Sequence, residues 1–300
     1  MKITILGNNS ALPAFGRHPT AQVVALRSEL ILIDCGECTQ VQMQRYGIRW
    51  RGLNYILISH LHGDHYFGLP GLLNSMSLMG RSDPLHLFAP APLKSILDLI
   101  LEAAGTVLSF RLHFYPLPEG AGLLVENFSF TISCFPVIHR IDCHGFVVET
   151  KQRSRRLLPE KCMELNIPIS FYDSLKQGAD YTSSTGEVIP NDTVTADPPP
   201  TKKYAYCADT VYTDSFLPYI TGADAIYHES TYLHNDRDKA EARFHSTALQ
   251  AAQLAVSAGV GMLLLGHFSS KYKDLYPFKE EAQVVFNNVH IAEEGNVYEL

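Results

Sequence analysis

A dense group of metal-ligand side chains, SHLHGDH at Ser59–His65, limits what this chain can fold into more than any other feature. It holds three histidines and an aspartate, and such nitrogen and oxygen donors suit Zn²⁺ and related first-row metals. The apolar run Tyr55–Ser59 before it indicates a buried strand, and Gly63 favours a tight turn after that strand. The sequence therefore predicts a metal site at a strand end.

The spacing within this group favours two ions over one. Side chains alternate along an extended segment, so His60 and His62 point to the same side and can share one metal. Asp64 and His65 lie beyond the turn and aim elsewhere, which suits a second cation about 3.5–4 Å away that helps to flank a phosphorus or carbonyl centre. Four ligand-type residues within six positions are too many for chance surface or core histidines. The pattern predicts a binuclear hydrolase.

Two ions need further ligands, and three more candidates directly follow strand-like runs. His139 follows FSFTISCFPVI, Asp209 follows KYAYCA and His267 follows MLLLG. Any one of them alone would more often be a structural residue, but together they complete a ligand set. The predicted assignment is one ion at His60, His62 and His139, a second at Asp64, His65 and His267, and Asp209 bridging both.

Further motifs extend well beyond the ligands. HLHGDHYFGLPGLL occupies His60–Leu73, and the other motifs are DCGECTQVQ at Asp34–Gln42, HES at His228–Ser230, HST at His245–Thr247 and GHFSSKY at Gly266–Tyr272. In these motifs, across nearly its whole length, the sequence resembles the ribonuclease Z (tRNA 3′-endonuclease) family of the metallo-β-lactamase fold superfamily.

The resemblance implies a reaction and roles for particular residues. A zinc-dependent endoribonuclease would remove the 3′ trailer from precursor tRNA, leaving a 3′-hydroxyl on the tRNA and a 5′-phosphate on the trailer. His245 would protonate the departing 3′-oxygen and Glu229 would orient His245, although both could instead cap buried backbone. Asp64 is our candidate proton acceptor, and Asp34 would brace the metal-bearing loops. Two Zn²⁺ ions per subunit are expected, and the same ligands accept Mn²⁺, Fe²⁺ or Co²⁺.

Strand-like stretches alternate with helices, which fits an α/β (α+β) fold, and the resemblance implies a four-layer αββα sandwich with a protruding arm insertion. The catalytic domain is expected at 1–150 and 204–300 and the arm at 151–203. Strands are predicted near Lys2–Leu6, Gln22–Leu26, Leu30–Asp34, Leu85–Ala89 and Gly145–Thr150, and helices near Leu69–Met79, Leu93–Ala104, Ser246–Ser257 and Phe278–Asn287.

Basic residues near the start of the arm are candidates for substrate binding. They are Lys151, Arg153, Arg155 and Arg156, in a stretch without a long apolar period. The alternative is a solvated charge run, but so long a loop is uncommon and usually functional. The resemblance implies that the arm clamps the tRNA elbow, yet the typical Gly-Pro pair is absent. Arg17, in the loop LPAFGRH, is a further candidate, although these residues equally describe a surface turn.

Composition limits the location and the partners. A net charge of −7 argues against broad nucleic-acid binding, so any RNA contact must be local. The start MKITILGNNS is neither a secretory signal nor a membrane anchor, so a cytoplasmic protein without membrane contact is expected. Six cysteines are too sparse for a disulfide framework, and Cys35 and Cys38 lack a second CxxC for a zinc ribbon. The resemblance also implies a homodimer.

Two other classes of function remain open. A small-molecule hydrolase of the same fold, acting on cyclic nucleotides, lactones, thioesters or sulfate esters, is favoured by the missing Gly-Pro and the acidic net charge. A catalytically silent RNA-binding protein with a structural metal is disfavoured by the complete ligand set together with Glu229 and His245.

Overall fold

The computed structural model describes residues 1–27 and 29–300, which form two large mixed β-sheets and two small hairpin-like pairs. The strands are β1 (Lys2–Gly7), β2 (Ala21–Leu26), β3 (Glu29–Ile33), β4 (Leu53–Leu57), β5 (Leu85–Ala89), β6 (Leu112–Pro116), β7 (Gly122–Glu126), β8 (Phe130–Val137), β9 (Cys143–Thr150), β10 (Arg156–Leu157), β11 (Tyr181–Thr182), β12 (Val188–Ile189), β13 (Thr195–Ala196), β14 (Lys203–Cys207), β15 (Ala225–Glu229), β16 (Leu263–Gly266), β17 (Val289–Ile291) and β18 (Val297–Glu299).

Helices follow or precede most of these strands. They are α1 (Thr39–Arg45), α2 (Gly63–Tyr66), α3 (Leu69–Leu78), α4 (Pro92–Ala103), α5 (Pro159–Glu164), α6 (Tyr172–Lys176), α7 (Asn191–Val194), α8 (Leu217–Ile220), α9 (Arg237–Ala242), α10 (Ala248–Ala258) and α11 (Tyr276–Gln283), with 3₁₀ turns at Trp50–Gly52, Ile169–Phe171 and His234–Asp236.

The two large sheets have the same plan. The first has the order β18-β1-β2-β3-β4-β5-β6 and the second the order β17-β16-β15-β14-β9-β8-β7. Strands β3 to β6 are parallel to one another, and so are β14 to β17. Because parallel neighbours end at the same edge, each sheet brings several loops to one place.

Successive side chains of a strand point to opposite faces of the sheet, so each strand contributes both to the core between the sheets and to the outer core under the helices. In β3, Ile31 and Ile33 belong to the core between the sheets, whereas Leu32 points to the helices outside. Helices α1, α3 and α4 contribute residues such as Met43, Leu72 and Leu97 to that outer core, and α8, α10 and α11 pack on the second sheet. The expected four-layer αββα sandwich is confirmed.

Most predicted elements are present, with shifted ends. The strand expected at Leu85–Ala89 has those bounds, and the helix expected at Leu69–Met79 ends one residue earlier. The helix expected at Ser246–Ser257 begins only at Ala248, because Thr247 caps it in a reciprocal hydrogen-bond pair with Gln250. The helix expected at Phe278–Asn287 was placed too late, since it begins at Tyr276 with Pro277 in its first turn.

The segment 151–203 is built from short elements around a small core of its own. Strands β10 and β13 pair at its base, and α5, α6 and α7 surround buried apolar side chains. Those side chains are Cys162, Ile167, Leu175, Ile189 and Val194. The absence of a long apolar period thus reflects elements of two to six residues. Within residues 1–27 and 29–300, no helix is both long and apolar enough to cross a bilayer.

Candidate metal centre

The seven predicted ligands come together at one edge of the sandwich. His60 and His62 lie on the loop after β4, and Asp64 and His65 lie in the short helix α2. The other three follow strands in the second half of the chain, and they are His139 after β8, Asp209 after β14 and His267 after β16.

Four of these residues form a histidine-rich cluster, which we call the first half-site. His62 Nδ1 lies 3.0 Å from His60 Nε2 and 3.1 Å from His139 Nε2. Asp209 Oδ2 lies 3.8 Å from both His60 Nε2 and His139 Nε2. Donors about 2.0–2.1 Å from a tetrahedral ion would be roughly 3.3 Å apart, so these four atoms could surround one cation.

The remaining ligands form a second half-site. His267 Nε2 lies 3.3 Å from His65 Nε2 and 3.4 Å from Asp64 Oδ2. Asp209 Oδ1 lies 3.2 Å from His267 Nε2 and 3.5 Å from His65 Nε2. The two oxygens of Asp209 therefore face different half-sites, as a bridging carboxylate would.

The electrostatics of the centre fit a pair of cations. Asp209 Oδ1 is buried and accepts no hydrogen bond from the described residues, although an orphaned buried oxygen is costly. Burial lowers the pKa of His60 well below its ordinary value, which favours the neutral imidazole that binds metals. Burial also opposes protonation of His65, yet Asp209 and Asp64 raise its pKa well above its ordinary value. The half-site therefore has a negative potential that a cation would offset.

Asp34 holds His65 in place through a buried network. Asp34 Oδ2 lies 2.7 Å from His65 Nδ1 and accepts hydrogen bonds from the hydroxyls of Tyr206 (2.6 Å) and Ser59 (2.9 Å). The backbone N–H of Ser59 donates to Asp34 Oδ1 at 2.7 Å. A carboxylate at Nδ1 leaves Nε2 as the ligand nitrogen and raises the basicity of the ring. The bracing role that the resemblance implied for Asp34 agrees with this geometry.

Several other contacts to the outer nitrogens of the ligand histidines could not be predicted from the sequence. His139 Nδ1 donates to the carbonyl of Phe244 at 2.9 Å, and His267 Nδ1 lies 3.0 Å from Thr231 Oγ1. His60 Nδ1 lies 3.0 Å from the hydroxyl of Ser59 and 3.4 Å from the thiol of Cys143. Ser59 was recognisable only as the last residue before His60, and the other three partners stand in no recognisable motif position.

Backbone strain is concentrated at this centre. Ala11, Phe244 and His267 have φ values of 64°, 61° and 58°, in the left-handed region that non-glycine residues rarely adopt. Such conformations cost on the order of 1–3 kcal/mol each and persist where the surroundings impose them. Here the Ala11 N–H donates to Asp64 Oδ2 at 2.7 Å, the Phe244 carbonyl accepts from His139, and His267 is itself a candidate ligand. The strained residues therefore place a backbone donor, a backbone acceptor and a candidate ligand at the centre.

His245 and Glu229 form a buried pair beside the second half-site. Glu229 Oε1 lies 2.8 Å from His245 Nδ1, and its two oxygens also accept the N–H groups of Thr231 and Ser246. His245 offers a donor atom within 4.8 Å of those of Asp209 and His267. Burial opposes protonation of His245, but Glu229 raises its pKa above the ordinary value. His245 therefore has a fixed orientation and a raised pKa, both of which proton donation would require.

Arg17, a predicted substrate-binding residue, is half-buried and hydrogen-bonded within the protein. Its Nε donates to Asn9 Oδ1 at 2.9 Å, and its Nη atoms donate to the carbonyls of Tyr272 (2.6 Å) and Lys273 (3.1 Å). The guanidinium thus joins the loop that carries Ala11 to the loop that follows His267. In this position Arg17 supports the centre and has few donors left for RNA.

The predicted basic residues of the 151–203 segment differ in their surroundings. Arg155 is bound by Asp192, Asp197 and Thr195 of the same segment. Lys151 donates to Glu126 at 2.6 Å. Arg156 is exposed and Arg153 is half-buried. Carboxylates of the segment therefore pair with Arg155, whereas the partner of Lys151 lies outside the segment.

Known proteins resemble the chain over its full length. Ribonuclease Z of Parabacteroides distasonis is 40% identical over 294 residues, covering 98% of this chain and 97% of that protein. Ribonuclease Z of Cytophaga hutchinsonii is 39% identical over 299 residues, covering 99% and 95%. The crystal structure of human tRNase Z, short form, superposes with a TM-score of 0.72 at 26% identity, covering 100% and 99%.

Two further matches concern the fold and the N-terminal half. The metallo-β-lactamase fold protein YhfI from Bacillus subtilis has a TM-score of 0.70 at 20% identity, covering 99% of this chain and 98% of that one. Residues 1–151 match the family model described as Anti-Pycsar protein Apyc1, so this half belongs to that sequence family too. The full-length relatives decide the wider assignment: the chain belongs to the ribonuclease Z family and has the metallo-β-lactamase fold.

Proposed function

We propose that this protein is a metal-dependent endoribonuclease that cleaves the 3′ trailer from precursor tRNA, leaving a 3′-hydroxyl on the tRNA and a 5′-phosphate on the trailer. The observation that carries the proposal is the convergence of seven candidate ligand residues, among which Asp209 lies with its two oxygens facing separate half-sites. Full-length similarity to ribonuclease Z proteins supports the substrate, because those relatives are named for this activity.

We propose two Zn²⁺ ions per chain, held as the two half-sites suggest, although Mn²⁺, Fe²⁺ or Co²⁺ could be bound by the same donors. Such a pair supplies an activated water near neutral pH and offsets charge on the phosphate oxygens. The donor set supports two ions because each oxygen of Asp209 has its own group of imidazoles.

The chain's own residues would move the protons. Asp64, whose Oδ2 is held by the Ala11 N–H, orients the attacking water and takes up its proton. As the water oxygen bonds to phosphorus, the bond from phosphorus to the ribose 3′-oxygen breaks. His245 gives its proton to that leaving oxygen, and Glu229 holds the imidazole in the required orientation.

A direct test uses two substrates side by side. The purified protein is incubated with a precursor tRNA carrying a 3′ trailer and with a chromogenic phosphodiester. We expect cleavage of the precursor at the trailer junction, with a 3′-hydroxyl and a 5′-phosphate identified by end-labelling. Cleavage of the ester without cleavage of the precursor would overturn the proposed substrate.

Metal removal tests the cofactor. Dialysis against a chelator should abolish cleavage, and Zn²⁺ should restore it. Elemental analysis should find about two metal ions per chain in the restored protein, and less than about one would contradict paired ions.

A second candidate is a small-molecule hydrolase of the same fold. Three of the five cations expected to bind RNA, Arg17, Lys151 and Arg155, have hydrogen-bond partners within the protein. The N-terminal half also matches a differently described family. The two-substrate assay separates this candidate from the nuclease.

Three further expectations belong to this proposal. The 151–203 segment would act as an exosite for tRNA, with Lys151, Arg153, Arg155 and Arg156 as its contacts. Replacing Arg156 with Ala should raise KM for the precursor without changing hydrolysis of the chromogenic ester.

The protein would be a homodimer in the cytoplasm. Sedimentation of the purified chain would report its oligomeric state.

A further inference from the structure

A second cavity lies at the opposite end of the first sheet from the metal centre. It has a volume of about 1060 Å³ and is lined by residues that precede β4 and β5, among them Trp50 and Arg81. The candidate ligands lie beyond the other end of β4, because His60 follows its carboxyl end. The chain from Leu53 to His60, at about 3.3 Å per residue, places the two sites on the order of 20 Å apart. The cavity is therefore separate from the proposed catalytic site.

The cavity has an excess of positive charge in an acidic protein. Its charged lining consists of Arg49, Arg51, Arg81 and Asp83, which is three cations and one anion. Arg49 and Arg51 are exposed and form no salt bridge with a described carboxylate. The chain as a whole has a net charge of −7. Such a concentration of guanidinium groups favours an anionic ligand.

Arg81 sets the shape of the cavity wall. Its guanidinium donates to the carbonyls of Trp50 (3.0 Å), Asp83 (2.8 Å) and Pro84 (2.7 Å), and it lies over the ring of Phe110. These hydrogen-bond acceptors are uncharged carbonyls. Arg81 therefore joins the turn at Trp50 to the loop before β5 and fixes the backbone of Arg49 and Arg51, while adding positive potential.

The apolar part of the lining includes an aromatic ring. Trp50 is the only tryptophan of the chain, and it is half-buried because part of its side chain packs on the outer core of the first sheet. Met76 and Met79 line the cavity beside it, and Met79 is 77% exposed. An indole flanked by guanidinium groups offers stacking and charge-assisted hydrogen bonds within one site.

We propose that this cavity binds a nucleotide, with the base against the indole of Trp50 and the phosphate held by Arg49 and Arg51. The volume leaves ample room for a ligand of that size, since it slightly exceeds the range of about 300–1,000 Å³ typical of small-molecule pockets. The combination of ring and phosphate distinguishes a nucleotide from inorganic phosphate and from an uncharged nucleoside. The site is independent of the proposed nuclease activity.

The single tryptophan provides the test. Metal-loaded protein is titrated with AMP, adenosine and inorganic phosphate in parallel while Trp50 fluorescence is recorded, with free N-acetyltryptophanamide as the correction for absorbance. We expect saturable quenching by AMP, weaker quenching by adenosine and little by phosphate. The double variant Arg49→Ala, Arg51→Ala should weaken AMP binding by at least about a hundredfold, because two hydrogen bonds to a charged group are lost.

A matched control uses an exposed arginine elsewhere. Arg237→Ala, on α9 of the other half of the fold, should bind AMP as the unchanged protein does. Absence of saturation, equal binding of AMP and adenosine, or full binding by the double variant would each overturn the proposal. Quenching by inorganic phosphate as strong as that by AMP would likewise overturn it in favour of a simple anion site. Thermal unfolding of the double variant checks that the protein remains folded.

Discussion

The two half-sites of the metal centre share Asp209 but are supported differently. In the second half-site, the carboxylate of Asp34 contacts His65 Nδ1. The hydroxyl of Thr231 contacts His267 Nδ1 and donates a hydrogen bond to Glu229 Oε2 at 2.8 Å. In the first half-site, the outer partners are neutral: a backbone carbonyl for His139, and a hydroxyl and a thiol for His60. A carboxylate at the distal nitrogen makes an imidazole a better ligand.

The second half-site should therefore hold its cation more tightly than the first. It also contains two carboxylates among its donors, Asp64 and Asp209, whereas the first has only Asp209. The difference predicts two separable binding events in a metal titration of the chelated protein. Substitutions that affect one half-site or both should change that separation, which competition with a chromophoric chelator measures.

Removal of the shared carboxylate should have the largest effect. Asp209→Ala takes one oxygen from each half-site, so we expect both binding events to weaken together and precursor cleavage to fall more than a hundredfold, beyond the 10–100-fold typical of outer partners. Asp214→Ala is the matched control, since Asp214 is exposed on the same loop. Loss of only one binding event in Asp209→Ala would show that Asp209 does not bridge.

Asp34→Asn should act mainly on the second half-site. Asp34 receives hydrogen bonds from His65, Tyr206 and two groups of Ser59, and an asparagine has one oxygen for these four donors. We expect the tighter binding event to weaken by about 10–100-fold and to approach the weaker one. The exposed Asp98→Asn on α4 serves as control. If the weaker event alone changed, the assignment of the tight ion to His65 would be wrong.

Thr231→Val should produce a smaller change at the same half-site. The substitution removes the oxygen that contacts His267 Nδ1 while keeping a similar shape. We expect about a tenfold loss in the tighter event, at the lower end for an outer partner. Thr231→Ser keeps the hydroxyl and should restore most of the affinity, and failure of that rescue would mean that packing of the methyl group matters more.

The sequence predicted the positions that end strands better than it predicted loop conformations. His60, Asp209 and His267 each follow a strand with parallel neighbours, which bring such positions to one edge whatever the loops do. His139 follows β8, which runs in the same direction as β14 because two antiparallel pairings separate these strands. The carbonyl of Phe244 depends on a φ of 61°, which no periodic pattern encodes. Ligand convergence was therefore predictable, and the support of the first half-site was not.

The partners of two basic residues also could not be predicted from the local sequence. Charge and position in loops predict that Arg17 and Arg155 contact RNA, and this stays a prediction, but neither feature indicates their partners within the protein. Their acceptors lie far along the chain, at Tyr272 for Arg17 and at Asp197 for Arg155. Long-range pairing of that kind follows from the tertiary fold and leaves no local sequence signal.

Ser59→Ala should give the smallest effect and should act on the first half-site as well as the second. The hydroxyl of Ser59 lies between Asp34 and His60 Nδ1, so its loss removes one of the neutral contacts to the first half-site. The thiol of Cys143 remains 3.4 Å from the same nitrogen and offsets part of the loss. A net hydrogen bond of about 0.5–1.5 kcal/mol predicts a change of roughly twofold to tenfold in each binding event. The control is Ser257→Ala, since Ser257 is exposed on α10. A loss of metal affinity confined to the second half-site would mean that Ser59 supports Asp34 alone and that the thiol of Cys143 orients His60.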